Sequence, residues 1–542
     1  MLNPPAREGP AWLPSLADAL AEALPRLLQE PPEPRLQELI RALAAALAEG
    51  RPELALSAEA PPGIDPGHWP ETYRRALAAS ALAQPPVGPL VLEADRIVWR
   101  RWWEQRQQVL ETLIERARAI PHQPAGAADA DAQELSGLDA DQRRAVLAVT
   151  RHRLVLLQGG PGTGKTSTVA RMLPWFQRQR SDARIHLAAP TGKAAARLRD
   201  ASGGGYGCTT LHRLLESRGE RFGRHRGNRL ALDLLVVDEL SMVDLALMAA
   251  LLEALPESCH LVLVGDPAQL PPVAPGALLP ELQRPRLAEA LGEAAITLAT
   301  VHRNGGAIAA VADRLRAAIA AGEHEPLAAI RPALERLEEA DNLRWQESSS
   351  GGLPAPLREA LEAHRRRLAE LAGACPAGDL AAERTLLMER ERLLVLSPRR
   401  RGRWGVAAIH RALLGEAALA DPRRWPPGTP VLCTRNLPDL GLANGDVGVV
   451  LAPDPEDGEP RLLFESGDGS LGDASIRLHP AQLAGSLEPA FALTVHKAQG
   501  SEADRVIVLF QAGGHEDLRL LYTALTRARR RALLITAPAD PA

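Results

Sequence analysis

The chain has 542 residues, of which 46% are hydrophobic and 24% charged, and its formal net charge is −4 at pH 7. The length suggests roughly three or four domains, and the charge gives no global signal for nucleic acid, although a local basic groove would suffice. The sequence shows neither an apolar run of about 20 residues for a membrane span nor an N-terminal export signal. The four cysteines are scattered, which argues against a disulfide framework or a zinc site and fits a cytoplasmic protein.

The first part of the chain, residues 1–125, is rich in Ala, Leu and Pro. Stretches of helical period such as RLQELIRALAAALAEG predict a mainly helical N-terminal domain. Near its end, GPLVLEADRIVWRRWWEQRQQVLETLIERA predicts a short strand that runs into an amphipathic helix. Residues 122–137, HQPAGAADADAQELSG, have the composition of a linker.

From about residue 138, short apolar strands alternate with helical segments. The strands RLVLLQG, RIHLAAP, DLLVVDE, HLVLVGD and AITLAT predict a mostly parallel sheet covered by helices on both faces. We therefore expect a first α/β domain at 126–310, a helical charged connecting region at 311–390 and a second α/β domain at 391–542. Gly/Asp turns predict a small β insertion in the second domain at about 425–488.

The stretch QGGPGTGKTST at 158–168 follows a strand, precedes a helix and matches G-x-x-x-x-G-K-[ST]. Its glycines let backbone N–H groups approach phosphates, and the helix N-terminus adds partial positive charge. Lys165 is expected to reach the β- and γ-phosphates of ATP, and Thr166 to bind Mg²⁺. The expected nucleotide-binding residues of the loop are Gly159, Gly160, Pro161, Gly162, Thr163, Gly164, Lys165, Thr166 and Ser167.

Two acidic residues follow the apolar strand of LLVVDELSMVD at 234–244. The carboxyl end of such a strand lies beside the phosphate loop. Asp238 is therefore expected to hold Mg²⁺ through water, and Glu239 to polarise the attacking water. An adjacent pair of this kind favours a motor ATPase over a GTPase or a small-molecule kinase.

Two glutamines are candidates for contacts with the nucleotide. In LVLVGDPAQLPPV at 261–273, a strand end carries Asp266 and Gln269, and Gln269 is placed to sense the γ-phosphate by hydrogen bonding. Gln142, in the helical stretch LDADQRRAVLAV before the phosphate loop, has an amide that matches the N6/N7 edge of adenine. A surface glutamine on a helix is the alternative interpretation of Gln142.

Only three of the 63 basic residues are lysines: Lys165, Lys193 and Lys497. Genome-wide base composition explains the scarcity, but all three lie in Gly/Thr turns that follow strands, the second in LAAPTGKAAARL and the third in FALTVHKAQGSEADRVIVLF. Lysine is a compact point charge, whereas arginine is a bulky planar fork. A tight phosphate turn can accept lysine and reject arginine, so all three turns are predicted to bind phosphates. The turns of Lys193 and Lys497 are predicted to bind those of a nucleic-acid backbone.

Two arginines are candidates for completing the nucleotide site. Arg527, in LLYTALTRARRRALLIT, is predicted to lie on a helix of a second α/β domain that has no phosphate loop of its own. That domain is placed to present Arg527 to the γ-phosphate across the cleft, as an arginine finger supplied in cis. Arg303, in LATVHRNGGAI, is a second candidate, and a structural salt bridge is the alternative for each.

Residues 138–542 contain, in chain order, DQRRAVLAV, GGPGTGKTST, APTGKAAARL, TTLHRLL, VVDELSMVD, LVGDPAQLPPV, VHRN, SPRRRGRWGVAAIH, TRNLPDLGLANGDVGVV, LTVHKAQGSEADRV and LYTALTRAR. These ordered motifs resemble those of the superfamily-one DNA helicases, and more closely those of the RecD family, the alpha subunits of RecBCD enzymes (exodeoxyribonuclease V). The resemblance implies an α/β fold with two RecA-like P-loop NTPase domains and a small β-barrel-like insertion in the second. It also implies an ATP-dependent helicase that translocates 5′ to 3′ on single-stranded DNA.

The same resemblance implies further residues and partners. Gly500 and Glu502 would join the nucleotide site, and the DNA path would include Pro190, Thr191, Lys193, His212, Arg435, Asn436, Thr494, His496 and Lys497. RecB-like and RecC-like subunits would complete a heterotrimer that acts on double-strand DNA ends in recombinational repair. No nuclease carboxylate cluster is recognisable, so the nuclease centre is expected in a partner chain. A stand-alone RecD-like helicase and a non-translocating P-loop ATPase switch remain alternatives.

Overall fold

The computed structural model describes residues 13–56, 59–119, 135–219, 221–300, 306–323, 325–349, 351–416, 421–454, 458–465, 475–511 and 517–537. Most of the predicted linker at 122–137, and the candidate Arg303, lie outside these residues. Within the described ranges, every helix is too short or too polar to cross a membrane.

The N-terminal region packs helices on a small antiparallel sheet. Its elements are α1 (Leu13–Leu27), α2 (Pro34–Ala48), β1 (Glu53–Ala55), α3 (Glu71–Ala79), β2 (Leu90–Leu92), β3 (Arg96–Trp99) and α4 (Arg100–Arg118). β3 lies between β1 and β2 and is antiparallel to both. The apolar face of α4, with Val109, Leu110 and Leu113, is buried in the core of the next domain, so α4 anchors the N-terminal region to it.

The first domain is built on a parallel sheet whose strand order, among the described residues, is β11-β4-β10-β9-β5-β6. Its elements are α5 (Ala140–Arg151), β4 (Leu154–Gly159), α6 (Lys165–Gln179), β5 (Ile185–Ala189), α7 (Gly192–Ala201), β6 (Gly207–Thr210), α8 (Leu211–Leu214), β7 (Ser217–Arg218), β8 (Arg221–Phe222), β9 (Leu234–Val237), α9 (Leu245–Ala254), β10 (His260–Gly265), α10 (Leu278–Leu282), α11 (Pro285–Leu291) and β11 (Ala295–Leu298). β4, β9 and β10 are buried along their whole length because helices cover both faces of the sheet.

The second domain is built on another parallel sheet, of order β12-β21-β20-β13-β19 in the described part of the chain. Its elements are α12 (Ala307–Ala321), α13 (Pro326–Leu334), β12 (Leu343–Glu347), α14 (Ala355–Gly373), α15 (Leu380–Arg390), β13 (Leu393–Ser397), α16 (Val406–Leu414), β14 (Pro430–Cys433), β15 (Val447–Val450), β16 (Leu462–Glu465), β17 (Ser475–Leu478), β18 (Leu487–Pro489), β19 (Leu493–Thr494), β20 (Ala503–Gln511), α17 (Leu518–Leu525) and β21 (Ala528–Ala537). Strands β14–β18 form a separate antiparallel sheet, which is the insertion. The predicted α/β fold with two helix-covered parallel sheets is confirmed.

The second sheet begins earlier in the chain than the predicted boundary at 391. β12 pairs in parallel with β21, and α12 and α13 bury Leu315 and Ile330 in the same core cluster as α17. The strand sequence LRWQE escaped recognition because it lies at the edge of the sheet and its polar side chains are largely exposed. The helices that follow α11 therefore belong to the second domain, and α12 lies at its boundary with the first.

Candidate active site

The phosphate loop connects β4 to α6 at the carboxyl end of the first sheet. Gly162 and Gly164 have φ angles of 75° and 84°, in the left-handed region that a side chain disfavours. The Lys165 ammonium donates hydrogen bonds to the carbonyl oxygens of Gly159 (2.7 Å) and Gly160 (2.9 Å). The lysine is thus held against the loop, beside the helix N-terminus at which phosphates bind.

The two acidic residues, Asp238 and Glu239, directly follow β9 and line the same cleft as the phosphate loop. The Oδ1 atom of Asp238 accepts a hydrogen bond from the N–H of Glu239 (2.8 Å). Glu239 has a φ of 53°, a strained conformation for a residue with a side chain and of a kind that clusters at active sites. Burial and the neighbouring Glu239 carboxylate raise the pKa of Asp238 to about 6. A cation bound at this site would therefore stabilise the ionised carboxylate of Asp238.

That oxygen-rich donor set fits Mg²⁺, which takes one or two protein ligands together with water and substrate phosphates. Thr166 and Asp238 line the same cleft and would hold the ion. When bound, Mg²⁺ would neutralise negative charge on the β- and γ-phosphates.

A cleft of about 710 Å³ separates the two domains at this site, and residues of both domains line it. The predicted site residues that line it are Gly160, Pro161, Gly162, Gly164, Lys165, Thr166, Ser167, Asp238, Glu239, Gln269, Glu502 and Arg527. The structure therefore brings the phosphate loop and the acidic pair of one sheet together with an arginine and a glutamate from the other.

The second domain contributes charged groups to the cleft. The side chain of Arg527 is buried, and its Nε donates to the carbonyl oxygen of Thr523 (3.1 Å). The Glu502 carboxylate lies between the guanidinium groups of Arg197 (3.9 Å) and Arg529 (3.1 Å). These arginines hold the pKa of Glu502 below its usual range, so this carboxylate stays ionised beside the nucleotide site.

Gln269 also lies in the cleft, and its Oε1 atom is buried without a hydrogen-bond partner among the described residues. An unsatisfied buried amide oxygen is costly unless a ligand or water pairs with it. The free acceptor suits a water molecule, which has protons to donate, and the predicted role of Gln269 in sensing the γ-phosphate stays a prediction.

The loop that carries Gln269 also makes polar contacts between the domains. The Tyr522 hydroxyl donates to Oδ2 of Asp266 (2.7 Å), and the N–H of Leu270 donates to Oγ1 of Thr523 (2.9 Å). In addition, Nε2 of Gln499 donates to the carbonyl oxygen of Leu270 (3.0 Å). All of these groups are buried, so a movement of the second domain reaches the loop directly.

Gln142 lies next to the phosphate loop but outside the cleft lining. It is buried in a capping box with Asp139 at the start of α5, and its Nε2 donates to the carbonyl oxygen of Thr163 at 3.5 Å. Both ends of the amide thus bond within the protein, and adenine recognition by Gln142 stays a prediction.

The second and third lysine turns lie at the boundary between the domains. Nζ of Lys193 donates to Oγ of Ser501 (3.3 Å). Gly500 has a φ of 72°, and a Cβ there would lie 2.9 Å from Oγ1 of Thr191, so the turns of the two domains touch. Burial lowers the pKa of Lys193 to about 8. Nζ of Lys497 pairs with Oε2 of Glu488 (2.9 Å).

The remaining predicted DNA contacts are partly or fully exposed: Pro190, His212, Arg435, Asn436, Thr494 and His496. Thr494 accepts a hydrogen bond from the N–H of Lys497, so it belongs to the third lysine turn. Between described residues, no hydrogen bond joins His212 or Arg435 to the lysine turns, and their place on the DNA path stays a prediction.

Four arginines of the cleft were missed by the sequence reasoning: Arg171, Arg197, Arg316 and Arg529. Arg197 follows Lys193 by one helical turn on α7, a spacing that places both on one side of the helix. Arg316 lies on α12 outside any recognised motif, and only the fold shows its position.

Comparisons with known proteins show which family this chain belongs to. A family described as an AAA domain matches residues 142–275, and a UvrD-like helicase C-terminal domain matches residues 489–535. The chain is 37% identical over 506 residues to the RecBCD enzyme subunit RecD of Mycolicibacterium smegmatis, and the match covers 87% of this chain and 83% of that protein. The chain belongs to the RecD family. The resemblance inferred from the motifs is thus confirmed, and this RecD-family chain is an ATP-dependent DNA helicase.

Other similar proteins are more distant from this RecD-family chain. The ATP-dependent RecD2 DNA helicase of Deinococcus radiodurans is 33% identical over 411 residues, and the match covers 73% of this chain and 48% of that protein. The crystal structure of Bacteroides Pif1 bound to ssDNA is 17% identical and covers 73% of this chain and 92% of that chain. The TM-score of this comparison is 0.40.

Proposed function

We propose that this chain hydrolyses ATP to translocate 5′ to 3′ on single-stranded DNA, as a motor subunit of a cytoplasmic RecBCD-type helicase and nuclease that acts on double-strand ends in recombinational repair. The observation that carries the motor assignment is the cleft, where the phosphate loop and acidic pair of one parallel sheet face Arg527 and Glu502 of the other. A simple ATP-binding switch does not need catalytic groups from two domains.

In this mechanism the loop N–H groups and Lys165 hold the phosphates of ATP. Glu239 orients the attacking water, and the free oxygen of Gln269 accepts a hydrogen bond from it. Arg527 stabilises negative charge on the transferred phosphoryl group when the cleft is closed. Hydrolysis removes the charge that Arg527 binds, and the cleft opens.

Opening and closing would move the two lysine turns past each other. Thr191 and Lys193 belong to the first domain, whereas Thr494 and Lys497 belong to the second. If each pair holds backbone phosphates, a change in their separation advances the strand. Such contacts tolerate any base sequence and weaken as salt increases.

The assignment to a RecBCD-type complex rests on the extent of the family match. Residues 138–542 make up about three quarters of the chain, yet the match to the RecBCD enzyme subunit RecD covers 87% of it. Part of the N-terminal region is therefore shared with a protein named as a complex subunit. RecB-like and RecC-like chains are the proposed partners, with the nuclease centre in one of them.

A stand-alone RecD-like helicase is the second candidate, because the RecD2 helicase matches this chain at 33% identity. A pull-down of the tagged chain from its native host distinguishes the two. A RecBCD-type subunit co-purifies with RecB-like and RecC-like chains in equal amounts. Recovery of the chain alone, with full unwinding activity, would favour the stand-alone helicase.

A further inference from the structure

A second arginine reaches the phosphate loop from the other domain. Arg316 lies on α12, and the neighbouring Leu315 is fully buried in the core cluster that contains α17. The guanidinium nonetheless lies against the first domain, because a Cβ placed on Gly160 would be 2.7 Å from Nη1 of Arg316. Arg316 also lines the cleft that contains Lys165.

An ion-pair partner and a buried hydroxyl lie near this arginine. Asp313, one helical turn earlier on α12, forms an ion pair with Nη2 of Arg316 and also lines the cleft. The Tyr522 hydroxyl, which is bonded to Asp266, lies 3.3 Å from the same position beside Gly160. The position of Arg316 against the loop thus depends on how closely the two domains approach.

The ion pair alone does not explain this position. Asp313 and Arg316 are three residues apart on one helix, and such a pair forms without a second domain. The side chain instead extends across the domain boundary to a loop built to bind phosphates. A guanidinium has five donors in a planar fork, which suits the oxygens of a phosphate group.

We propose that Arg316 is a further catalytic residue, which binds the phosphates of ATP from the second domain alongside Arg527. The inference rests on the proposed ATPase motor and deepens it. In the reaction, water attacks the γ-phosphorus, its proton passes to Glu239, and the bond to the bridging oxygen breaks with its electron pair left on ADP. Arg316 donates N–H groups to oxygens whose negative charge increases in that step, while Asp313 positions the guanidinium.

The test compares Arg316→Ala with Arg314→Ala, using the full chain. Arg314 lies on the same helix, but it is half exposed and its Nε donates to the carbonyl oxygen of Ala329 (3.0 Å), outside the cleft. Removal of one preorganised donor to a transition state costs about 10²–10³-fold in kcat. Arg316→Ala should lose this much DNA-stimulated ATP hydrolysis, whereas Arg314→Ala should retain the wild-type rate.

A second measurement separates catalysis from structure. ADP with aluminium fluoride mimics the phosphoryl group in transfer, so Arg316→Ala should bind it much more weakly than the wild type does and bind ADP alone equally well. Arg316→Lys should recover part of the rate because it keeps the charge but not the fork. Equal rates for the two alanine variants, or equal losses of ADP and ADP–aluminium fluoride binding, would overturn the role of Arg316. A wild-type chain without DNA-stimulated hydrolysis would instead overturn the proposed function itself.

Discussion

Replacement of Tyr522 by phenylalanine tests whether the hydrogen bond between the domains supports catalysis. The ring remains, and only the hydroxyl that donates to Asp266 is removed. Tyr522 is 0% and Asp266 1% exposed, so bulk water does not replace the lost donor. A hydrogen bond to a charged group contributes about 1.5–3 kcal/mol. Because about 1.4 kcal/mol corresponds to a tenfold change, the closed arrangement should become roughly 10–100-fold less populated.

The assay is steady-state ATP hydrolysis at saturating single-stranded DNA, together with binding of a fluorescent ATP analogue. Tyr522→Phe should reduce kcat by up to roughly 10–100-fold, in proportion to the closed population, and should leave nucleotide binding to the first domain nearly unchanged. Tyr73→Phe is the matched control, since Tyr73 is also buried and donates to a carboxylate, that of Glu38, but entirely within the N-terminal region. A Tyr522→Phe variant with the same kcat as Tyr73→Phe would refute the reasoning.

Three further predictions concern the acidic pair and the lysine turns. Glu239→Gln should retain ATP binding but lower the hydrolysis rate by about 10²–10⁴-fold, and a normal rate in a single-turnover assay would contradict its role as base. Glu488→Gln weakens the ion pair that holds Lys497, so fluorescence anisotropy should show tighter binding of single-stranded DNA at low salt; unchanged or weaker binding would contradict this. Only the protonated Lys193, whose pKa is lowered to about 8, attracts a phosphate. DNA affinity should therefore fall as pH rises through that value, and Lys193→Met, which has no charge to lose, should bind DNA weakly without that fall; a fall that persists in Lys193→Met would exclude Lys193 as its source.

The parts of the site that depend on local sequence could be predicted. A phosphate loop needs its glycines, lysine and threonine at fixed spacing between a strand and a helix, and β4 and α6 flank it as expected. Asp238 and Glu239 follow a continuous apolar strand, whose carboxyl end must meet the loop in a parallel sheet. Such patterns are visible because chemistry and backbone geometry constrain neighbouring residues together.

The parts that depend on packing between distant elements could not be predicted. Arg316 lies in a charged helix without a motif, and its approach to Gly160 results from how α12 packs on the second sheet. The bond from Tyr522 to Asp266 joins residues 256 positions apart. β12 was missed because an edge strand with exposed polar residues lacks the apolar run that identifies buried strands.

The three lysines, which their scarcity in the sequence singled out, lie in turns of both domains. Lys165 bonds to the phosphate loop, while Lys193 and Lys497 lie in turns of different domains near their boundary. The contact of Thr191 with Gly500 shows that those two turns approach closely. The sequence patterns predicted the turns, and the fold shows that the turns of Lys193 and Lys497 lie close together at the domain boundary.

Unwinding of tailed duplexes tests the central claim most directly. The purified chain, alone and with co-purifying partners, is mixed with ATP, Mg²⁺ and a labelled duplex that carries either a 5′ or a 3′ single-stranded tail. Lys165→Gln in the same preparation separates this motor from any motor in a partner chain. We expect the wild-type chain to unwind the 5′-tailed duplex in an ATP-dependent manner and Lys165→Gln to lose that activity. Unwinding of the 3′-tailed duplex alone, or full activity of Lys165→Gln on the 5′ tail, would contradict the account.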